Sequence, residues 1–448
     1  MKRILLLGAG RSADALIDYL IQLCHKESFH LTVADFNKEI AQSKIFAYGG
    51  QETHSTAVSI DGNDLQQCRQ VVQEADIAIS LLPPAMHINI AKACLEAGKS
   101  LLTASYVSTE MQAFHDEAKR RGVLLLNEMG FDPGIDHMSI MQTIERLNKE
   151  EAIITALRSY AGGLIAPLYD NNPWHYKFTW NPRNVVLAGK GTAKYVINGQ
   201  PKYVPYHRLF GHTEDVHIEG LGEYEGYPNR DSIIYRQLYG LPHIPTLIRG
   251  TLRKKGFCAA WDTFVQLGMT DDEIIIDNSE KITYREFTNM FLQYSRSLLV
   301  EEKLAKLMNV APKSELIDKI RWLGLFSHEK IGLPHATPAQ ILQHLLEQKW
   351  KLEEGDRDMV ILQHKFEYHN AENNLELISD LVVYGDEHHT AMAKTVGYPL
   401  GIATKLILQG RIQLTGVQIP TSPQIYQPVL EELAQLGIRF REKIQPVE

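Results

Sequence analysis

Short apolar runs and helical stripes alternate through the first 130 residues. Lys2–Leu7 is a compact apolar run and predicts a buried strand. Asp14–Cys24 carries Ala15, Leu16, Tyr19, Leu20 and Leu23 at helical spacing. Further strands are predicted at His30–Ala34, Thr53–Val58, Asp76–Leu81, Lys99–Thr103 and Val123–Asn127. Helices are predicted from near Asn37 and at Asp64–Glu74, Met86–Ala97 and Thr109–Arg121. Strands separated by helices in this way predict an α/β, doubly wound parallel sheet with right-handed crossovers.

The turn after the first strand, Gly8-Ala9-Gly10-Arg11-Ser12-Ala13, gives that sheet a chemistry. It reads G-x-G-x-x-A between a strand and a helix, the opening of a Rossmann-type dinucleotide unit. Gly8 permits the sharp turn and Gly10 lets the backbone approach a pyrophosphate. Ala13 allows close helix–strand packing, and the helix N-terminus offers N–H groups and a partial positive charge. Asp35 closes the second strand, where a carboxylate accepts hydrogen bonds from the adenosine ribose and repels a 2′-phosphate. It points to NAD, with NADP possible, although Asp35 could equally cap the helix starting near Asn37. Leu82-Pro83-Pro84 ends the fourth strand and is expected along the cofactor's edge.

Past the sixth strand, Glu128–His137 (EMGFDPGIDH) is a stiff glycine–proline turn feeding a helix that runs to about Asn148. Asp132 reads as an N-cap with Pro133 in the first turn. Asp132, Asp136 and His137 could be metal ligands, but no further ligand follows from spacing, so no metal is assigned. A strand is expected at Ile153–Tyr160, a loop at Gly162–Pro167 and a hairpin tip at Val196–Pro201. From about Trp261 to Trp350 the pattern is helical, with amphipathic stretches at Lys303–Met308, Glu315–Leu323 and Thr337–Lys349. Asp358–Tyr368 and Glu376–Tyr384 read as paired strands. His389–Leu408 reads as one long helix with Gly397-Tyr398-Pro399 as a kink or break, and Val429–Leu436 as a last helix.

Composition narrows the field. With 448 residues, the chain exceeds one ordinary core. A net charge of −8 leaves no nucleic-acid footprint, and no apolar run reaches membrane-spanning length. Four scattered cysteines show no metal or disulfide spacing, and the chain opens on a strand rather than a leader; a cytoplasmic, reduced location is expected. Lys177, Arg230 and Arg253 could build a polyanion pocket or be ordinary solvated charges.

Taken together, several stretches resemble the L-glutamate-forming saccharopine dehydrogenases, also called saccharopine reductases. They are Ser105–Ser108, Asn127–His137, Tyr176–Trp180, Tyr227–Ser232, Arg249–Arg253, Glu354–Val360 and His389–Lys394. The resemblance implies a dinucleotide domain over 1–130, rejoined by C-terminal helices over about 389–448. It implies an α+β substrate and dimerisation domain over 131–256 and about 351–388, and an all-helical insertion over about 257–350. The implied reaction takes saccharopine, NAD(P)+ and water reversibly to glutamate, 2-aminoadipate 6-semialdehyde and NAD(P)H, within lysine metabolism. The implied assembly is a homodimer, with no nucleic-acid or membrane partner.

Carried onto this chain, the resemblance has Ser105 and Tyr106 binding saccharopine. Asp132, Pro133, Gly134, Ile135 and Asp136 would line the nicotinamide side. Arg230, Thr251, Leu252 and Arg253 would hold the substrate's amino-acid ends, and Lys177 is expected among the substrate-binding residues. Asp132 is expected as general base, with Tyr106 the other candidate. Relatives commonly carry a cysteine where this chain has Ala161, so no thiol there is essential to it. Two rivals stand beside this reading: a related dehydrogenase of a carboxylated polyamine such as carboxynorspermidine, and a non-catalytic NAD-binding sensor.

Overall fold

The predicted strand–helix alternation closes into one parallel sheet. A computed structural model describes residues 1–371 and 373–447. Its first strands are β1 (Arg3–Leu7), β2 (His30–Asp35), β3 (Ser55–Ser59), β4 (Ile77–Ser80), β5 (Ser100–Thr103) and β6 (Leu124–Leu126). The helices between and after them are α1 (Asp14–Glu27), α2 (Lys38–Ala47), α3 (Leu65–Gln73), α4 (His87–Ala97), α5 (Thr109–Gln112), α6 (His115–Arg121) and α7 (Ile135–Lys149). The sheet has seven strands, because Gly416–Gln418 returns from far down the chain and pairs in parallel with β6. The order across the sheet is Gly416–Gln418, β6, β5, β4, β1, β2, β3. Order reverses between β1 and β4, so the strand ends there open a crevice for a ligand.

The strands are short and apolar because both faces are covered. Leu5 and Leu7 face α3 and α4, whereas Ile4 and Leu6 face α1 and the helix Ala391–Leu408. That helix is the one long helix expected there, and it runs unbroken through Gly397-Tyr398-Pro399 with Pro399 inside it.

The second sheet mixes directions. Its strands are β7 (Ile153–Ile165), β8 (Thr192–Ile197), β9 (Gln200–Pro205), β10 (Glu214–Ile218), β11 (Gly222–Pro228), β12 (Thr246–Lys254), β13 (Asp358–His369) and β14 (Asn374–Tyr384). They run β10, β11, β12, β7, β13, β14, then Arg441–Pro446, with β8 and β9 attached through β12. The expected hairpin tip is Asn198-Gly199, both at positive φ, which fits the tight β8–β9 turn. The expected loop at Gly162–Pro167 is instead strand for most of its length. β7 continues to Ile165 because β13 pairs with it through Gly162 and Gly163. Arg441–Pro446 also departs from expectation, since it pairs with β14 rather than returning to the first sheet, and covers what would be an open strand edge.

Between β12 and β13 lie five helices, Phe257–Leu267, Tyr284–Met290, Val300–Leu307, Glu315–Leu323 and Pro338–Lys349. They are anchored by an aromatic core of Trp174, Tyr176, Phe178, Phe257, Trp261 and Trp350, every one of them buried. Rings there meet edge-on or stacked, as with Tyr176 and Trp350 at 5.1 Å. Among the described residues no helix is long and apolar enough to cross a membrane.

Candidate active site

At the switch point, the two glycines of the turn play different parts. Gly8 has φ +99°, and a Cβ there would lie 3.0 Å from the Leu81 carbonyl carbon. It therefore lets the turn press against the end of β4, beside Leu82 and Pro83. Gly10 has an ordinary φ of −68° and nothing within 4 Å of where a Cβ would stand. No fold contact needs its smallness, which leaves close approach of a ligand as the physical use of glycine there. Arg11 and Ser12 follow in a single 3₁₀ turn, with Ala13 buried under α1. Asp35 Oδ2 accepts the Ala9 N–H at 2.7 Å, and its Oδ1 accepts the Asn37 N–H at 2.9 Å. The cap of α2 is Asn37 itself, accepting from the Ile40 N–H, so the capping role considered for Asp35 falls away. An open glycine turn, a helix N-terminus and a carboxylate at the end of β2 fit a dinucleotide.

The Asp132 loop leaves β6 beside this crevice. A cis peptide joins Asp132 to Pro133, and Gly134 has φ +149° with Gly130 backbone against its α-carbon. The helix begins only at Ile135, with Gly134 as cap residue, so Asp132 is not the N-cap that the sequence suggested. Asp136 Oδ1 instead accepts the Gly134 N–H at 2.6 Å. Asp132 is thereby left without a capping role.

Arg249, in the middle of β12, meets both aspartates. Its Nη2 donates to Asp132 Oδ1 at 2.7 Å and to Asp136 Oδ2 at 2.5 Å. Tyr106 O–H donates to the same Asp132 oxygen at 3.2 Å. The Asp136 side chain is sealed at 1 % exposure, whereas Asp132 keeps 15 %, so only Asp132 can meet a substrate. Burial pushes the Asp132 carboxyl up to about 6, against the pull of Arg249. Burial also opposes the charge of Asp136, but His137, Arg249 and the Gly134 N–H outweigh it and hold that carboxyl low. Burial drives the Tyr106 phenol far above its usual value, so it stays a hydrogen-bond donor.

Four residues behind the site were not singled out in the sequence. Glu128 accepts from His137 Nε2 at 2.7 Å, from Tyr235 O–H at 3.0 Å and from the Val107 N–H at 3.1 Å. Its own N–H donates to the Ser105 carbonyl, so Glu128 fixes the loop carrying Ser105 and Tyr106. Tyr239 O–H lies 2.7 Å from His137 Nδ1, and the Arg249 guanidinium sits 4.3 Å over the Tyr235 ring. One signal for Arg249 was available: an arginine inside an apolar strand, two residues from Thr251 and four from Arg253, shares their face.

The remaining expected residues separate. Arg230, at φ +52°, stacks 4.5 Å over the Tyr106 ring. Arg253 is 4 % exposed, donates to the Leu252 carbonyl and lies over the Tyr176 and Phe257 rings. Among the described residues neither arginine makes an ion pair. Lys177 differs: its Nζ is buried 2.7 Å from Asp356 Oδ2, which also accepts the Glu353 N–H. Its charge is neutralised inside the protein, which corrects its placement among the substrate-binding residues. Leu252 faces away from Arg249, Thr251 and Arg253 and packs among Tyr160, Leu164 and Ile361. Its side chain therefore cannot join the substrate face, and only its backbone lies there. Among the described residues no three histidine, cysteine or carboxylate side chains are grouped to hold a metal.

Residues 4–126 match the family model described as the saccharopine dehydrogenase NADP binding domain, and residues 130–438 match its C-terminal domain. Saccharopine dehydrogenase [NADP(+), L-glutamate-forming] of Schizosaccharomyces pombe is 35% identical over 454 residues, covering 99% of both chains. The Bos taurus mitochondrial alpha-aminoadipic semialdehyde synthase is 33% identical over 98% of this chain and 47% of its own length. The solved apo saccharopine dehydrogenase (L-Glu forming) of Saccharomyces cerevisiae superposes with a TM-score of 0.87 at 34% identity, covering 99% of this chain and 100% of that one.

Proposed function

This chain belongs to the saccharopine dehydrogenase family, and from that premise we propose the reaction it runs. It is an oxidoreductase of a secondary-amine C–N bond. Saccharopine, a nicotinamide dinucleotide and water become glutamate, 2-aminoadipate 6-semialdehyde and the reduced dinucleotide, reversibly. The observation that carries this reading is Asp132, a partly open carboxyl pushed up to about 6 by burial and held between Tyr106 and Arg249 beside the cofactor crevice.

Bound at the glycine turn, the dinucleotide supplies a hydride acceptor. The protein's part is to hold and move protons. Asp132 takes the proton of the substrate's secondary amine, so the nitrogen lone pair can drive hydride loss from the neighbouring carbon. Asp132 passes that proton to solvent, the one proton the overall reaction releases, and water then attacks the resulting protonated imine, giving its proton to the freed carboxylate. The carbinolamine then collapses to aldehyde and amine, with Asp132 returning a proton to the departing nitrogen. Tyr106 keeps its proton throughout and fixes the carboxylate's direction. Most of the rate enhancement is orientation of two bound partners.

Carboxylates of the substrate are assigned to Arg230 and Arg253, the two expected substrate arginines, neither of which makes an ion pair among the described residues. Arg253 lies four residues along β12 from Arg249, about 13 Å at strand rise, a span suited to an extended tricarboxylate. Ser105 and Thr251 complete the substrate's polar contacts. Among the loop residues assigned to the nicotinamide side, Pro133, Gly134, Ile135 and Asp136 shape the wall and Asp132 reaches the substrate.

We propose NAD as the preferred cofactor, against the NADP in the names of the relatives. The support is Asp35, whose carboxylate stands at the end of β2 where a 2′-phosphate would meet its charge. A homodimer and a cytoplasmic location belong to the same proposal; the four cysteines, buried and unpaired, accord with a reducing compartment. The deciding experiment follows reduced-cofactor absorbance with saccharopine and NAD+ or NADP+ side by side. Turnover with NAD+ well above NADP+ is expected. Turnover mainly with NADP+ would overturn the cofactor assignment alone, and silence with both would overturn the reaction.

A further inference from the structure

A buried histidine stands directly behind the proposed substrate residue Ser105, and nothing in the mechanism uses it. His87, the first residue of α4, is 4 % exposed. Its Nε2 lies 2.8 Å from Ser105 Oγ and 3.1 Å from Thr103 Oγ1, and its Nδ1 lies 2.9 Å from Ser80 Oγ. The ring thus ties the end of β4 to the end of β5 and to the first residues beyond it. Both strand ends border the cofactor crevice. Burial holds the imidazole neutral, with its pKa down at about 4.

A neutral imidazole has one donor and one acceptor nitrogen. Thr103 Oγ1 accepts the Ser105 N–H at 3.2 Å and lies beside the same ring nitrogen. The tautomer with Nδ1–H donating to Ser80 leaves the single Nε2 lone pair for the nearer hydroxyl, Ser105 at 2.8 Å. Ser105 then gives its proton to the ring and turns its lone pairs to the cleft. An oxygen so arranged accepts from a substrate N–H rather than donating to a carboxylate.

We propose that His87 is a positioning residue for the reaction, acting through Ser105, which it fixes as a hydrogen-bond acceptor for a nitrogen of the amino-acid substrate. The proposal rests on the saccharopine reading above. It gives a reason for a histidine at the start of α4, where packing alone would favour an apolar residue.

The test is a double-mutant cycle on KM for saccharopine, with NAD+ affinity measured separately by fluorescence quenching. His87→Asn keeps an amide at the Nδ1 position and cannot reach Ser105; His87→Gln extends one to the Nε2 position. His87→Asn and Ser105→Ala should each raise KM about five- to tenfold, the loss of one hydrogen bond to a polar group. The double variant should be no worse than either single one. His87→Gln should recover most of the loss, and NAD+ affinity should stay unchanged throughout. Should His87→Asn fail to fold, Ser80→Ala loosens the same ring and should raise KM only while Ser105 is present. Effects that multiply would overturn the proposal. So would weakened NAD+ binding with unchanged KM, which would make His87 a brace for the Leu82-Pro83 segment. A neutral Ser105→Ala would remove Ser105 from substrate binding and this proposal with it, while turnover of the wild type would still uphold the saccharopine reading.

Discussion

The Arg249 guanidinium donates to Asp132 Oδ1 at 2.7 Å, joining a strand of the second sheet to the loop that leaves the first. The same nitrogen holds Asp136, so one cation serves two carboxylates. Of the pair, the one that is partly open keeps a pKa near the working range, and the sealed one stays charged. In the proposed mechanism two chemically identical groups thereby divide into a base and an anchor.

Turnover should follow that division. The proposed mechanism needs Asp132 deprotonated, so kcat/KM for saccharopine oxidation should fall as pH drops through about 6. Asp132→Asn should lower turnover by roughly 100-fold or more with NAD+ binding intact. Arg249→Gln removes a cation that lowers the Asp132 pKa, so the acid limb should move to higher pH. Steady-state pH profiles of the three proteins check this; a limb that stays in Asp132→Asn would take Asp132 out of the role.

Lys177 should matter for stability alone. Its buried pair with Asp356 ties the segment between β7 and β8 to the approach to β13. Lys177→Met leaves a buried carboxylate uncompensated and should cost about 3–5 kcal/mol. Lys177→Met with Asp356→Leu should recover part of it. Denaturant unfolding reads the loss, and KM for saccharopine should stay within about twofold, since the stated role touches no substrate.

The two glycines of the turn should fail differently. Gly8→Ala meets both a positive φ and the Leu81 backbone, so it should lower the melting temperature. Gly10→Ala has neither obstacle and should melt like the wild type while binding NAD+ about tenfold or more weakly. Calorimetry with and without NAD+ separates them. Normal affinity in Gly10→Ala would remove the pyrophosphate from that position.

Cofactor choice should turn on Asp35. Asp35→Ser removes the charge that opposes a 2′-phosphate and should raise the NADP+ to NAD+ ratio of kcat/KM by about tenfold or more. An unchanged ratio would place the discrimination elsewhere. Part of any fall in NAD+ affinity will reflect the lost Ala9 and Asn37 contacts, which steady the turn itself.

Much of the first sheet was legible because its signals are local. A glycine turn, a period of apolar residues and an acid at a strand end each occupy a few consecutive positions, and the helix after β6 was placed within a residue at its far end. The short return strand Gly416–Gln418 was not legible, since three residues carry no periodicity and only its neighbour β6 makes it a strand. The extension of β7 was hidden for a related reason. Two adjacent glycines read as a loop until β13 is seen to pair with them.

The candidate site divides along the same line. Asp132 stood in a turn whose position alone drew attention, whereas Ser105, Tyr106, Arg230 and Arg253 were assigned through the family resemblance. Lys177 and Leu252 lay in stretches of the same resemblance, yet one is neutralised by a residue 179 positions away and the other is turned to the opposite face of its strand. Tyr235 and Tyr239 escaped notice because each is unremarkable among its sequence neighbours, and Glu128 and Arg249 lay in stretches already singled out but had no role until the fold brought them to the site. Sequence by itself determined the dinucleotide unit and the types of residue offered to the chemistry, since turn geometry and periodicity are properties of short segments. Only tertiary structure decided which aspartate stays open, which charges are cancelled and which hydroxyl faces the buried ring of His87. Burial and pairing are set by groups that arrive from distant parts of the chain, and their energies depend on those distances rather than on sequence order.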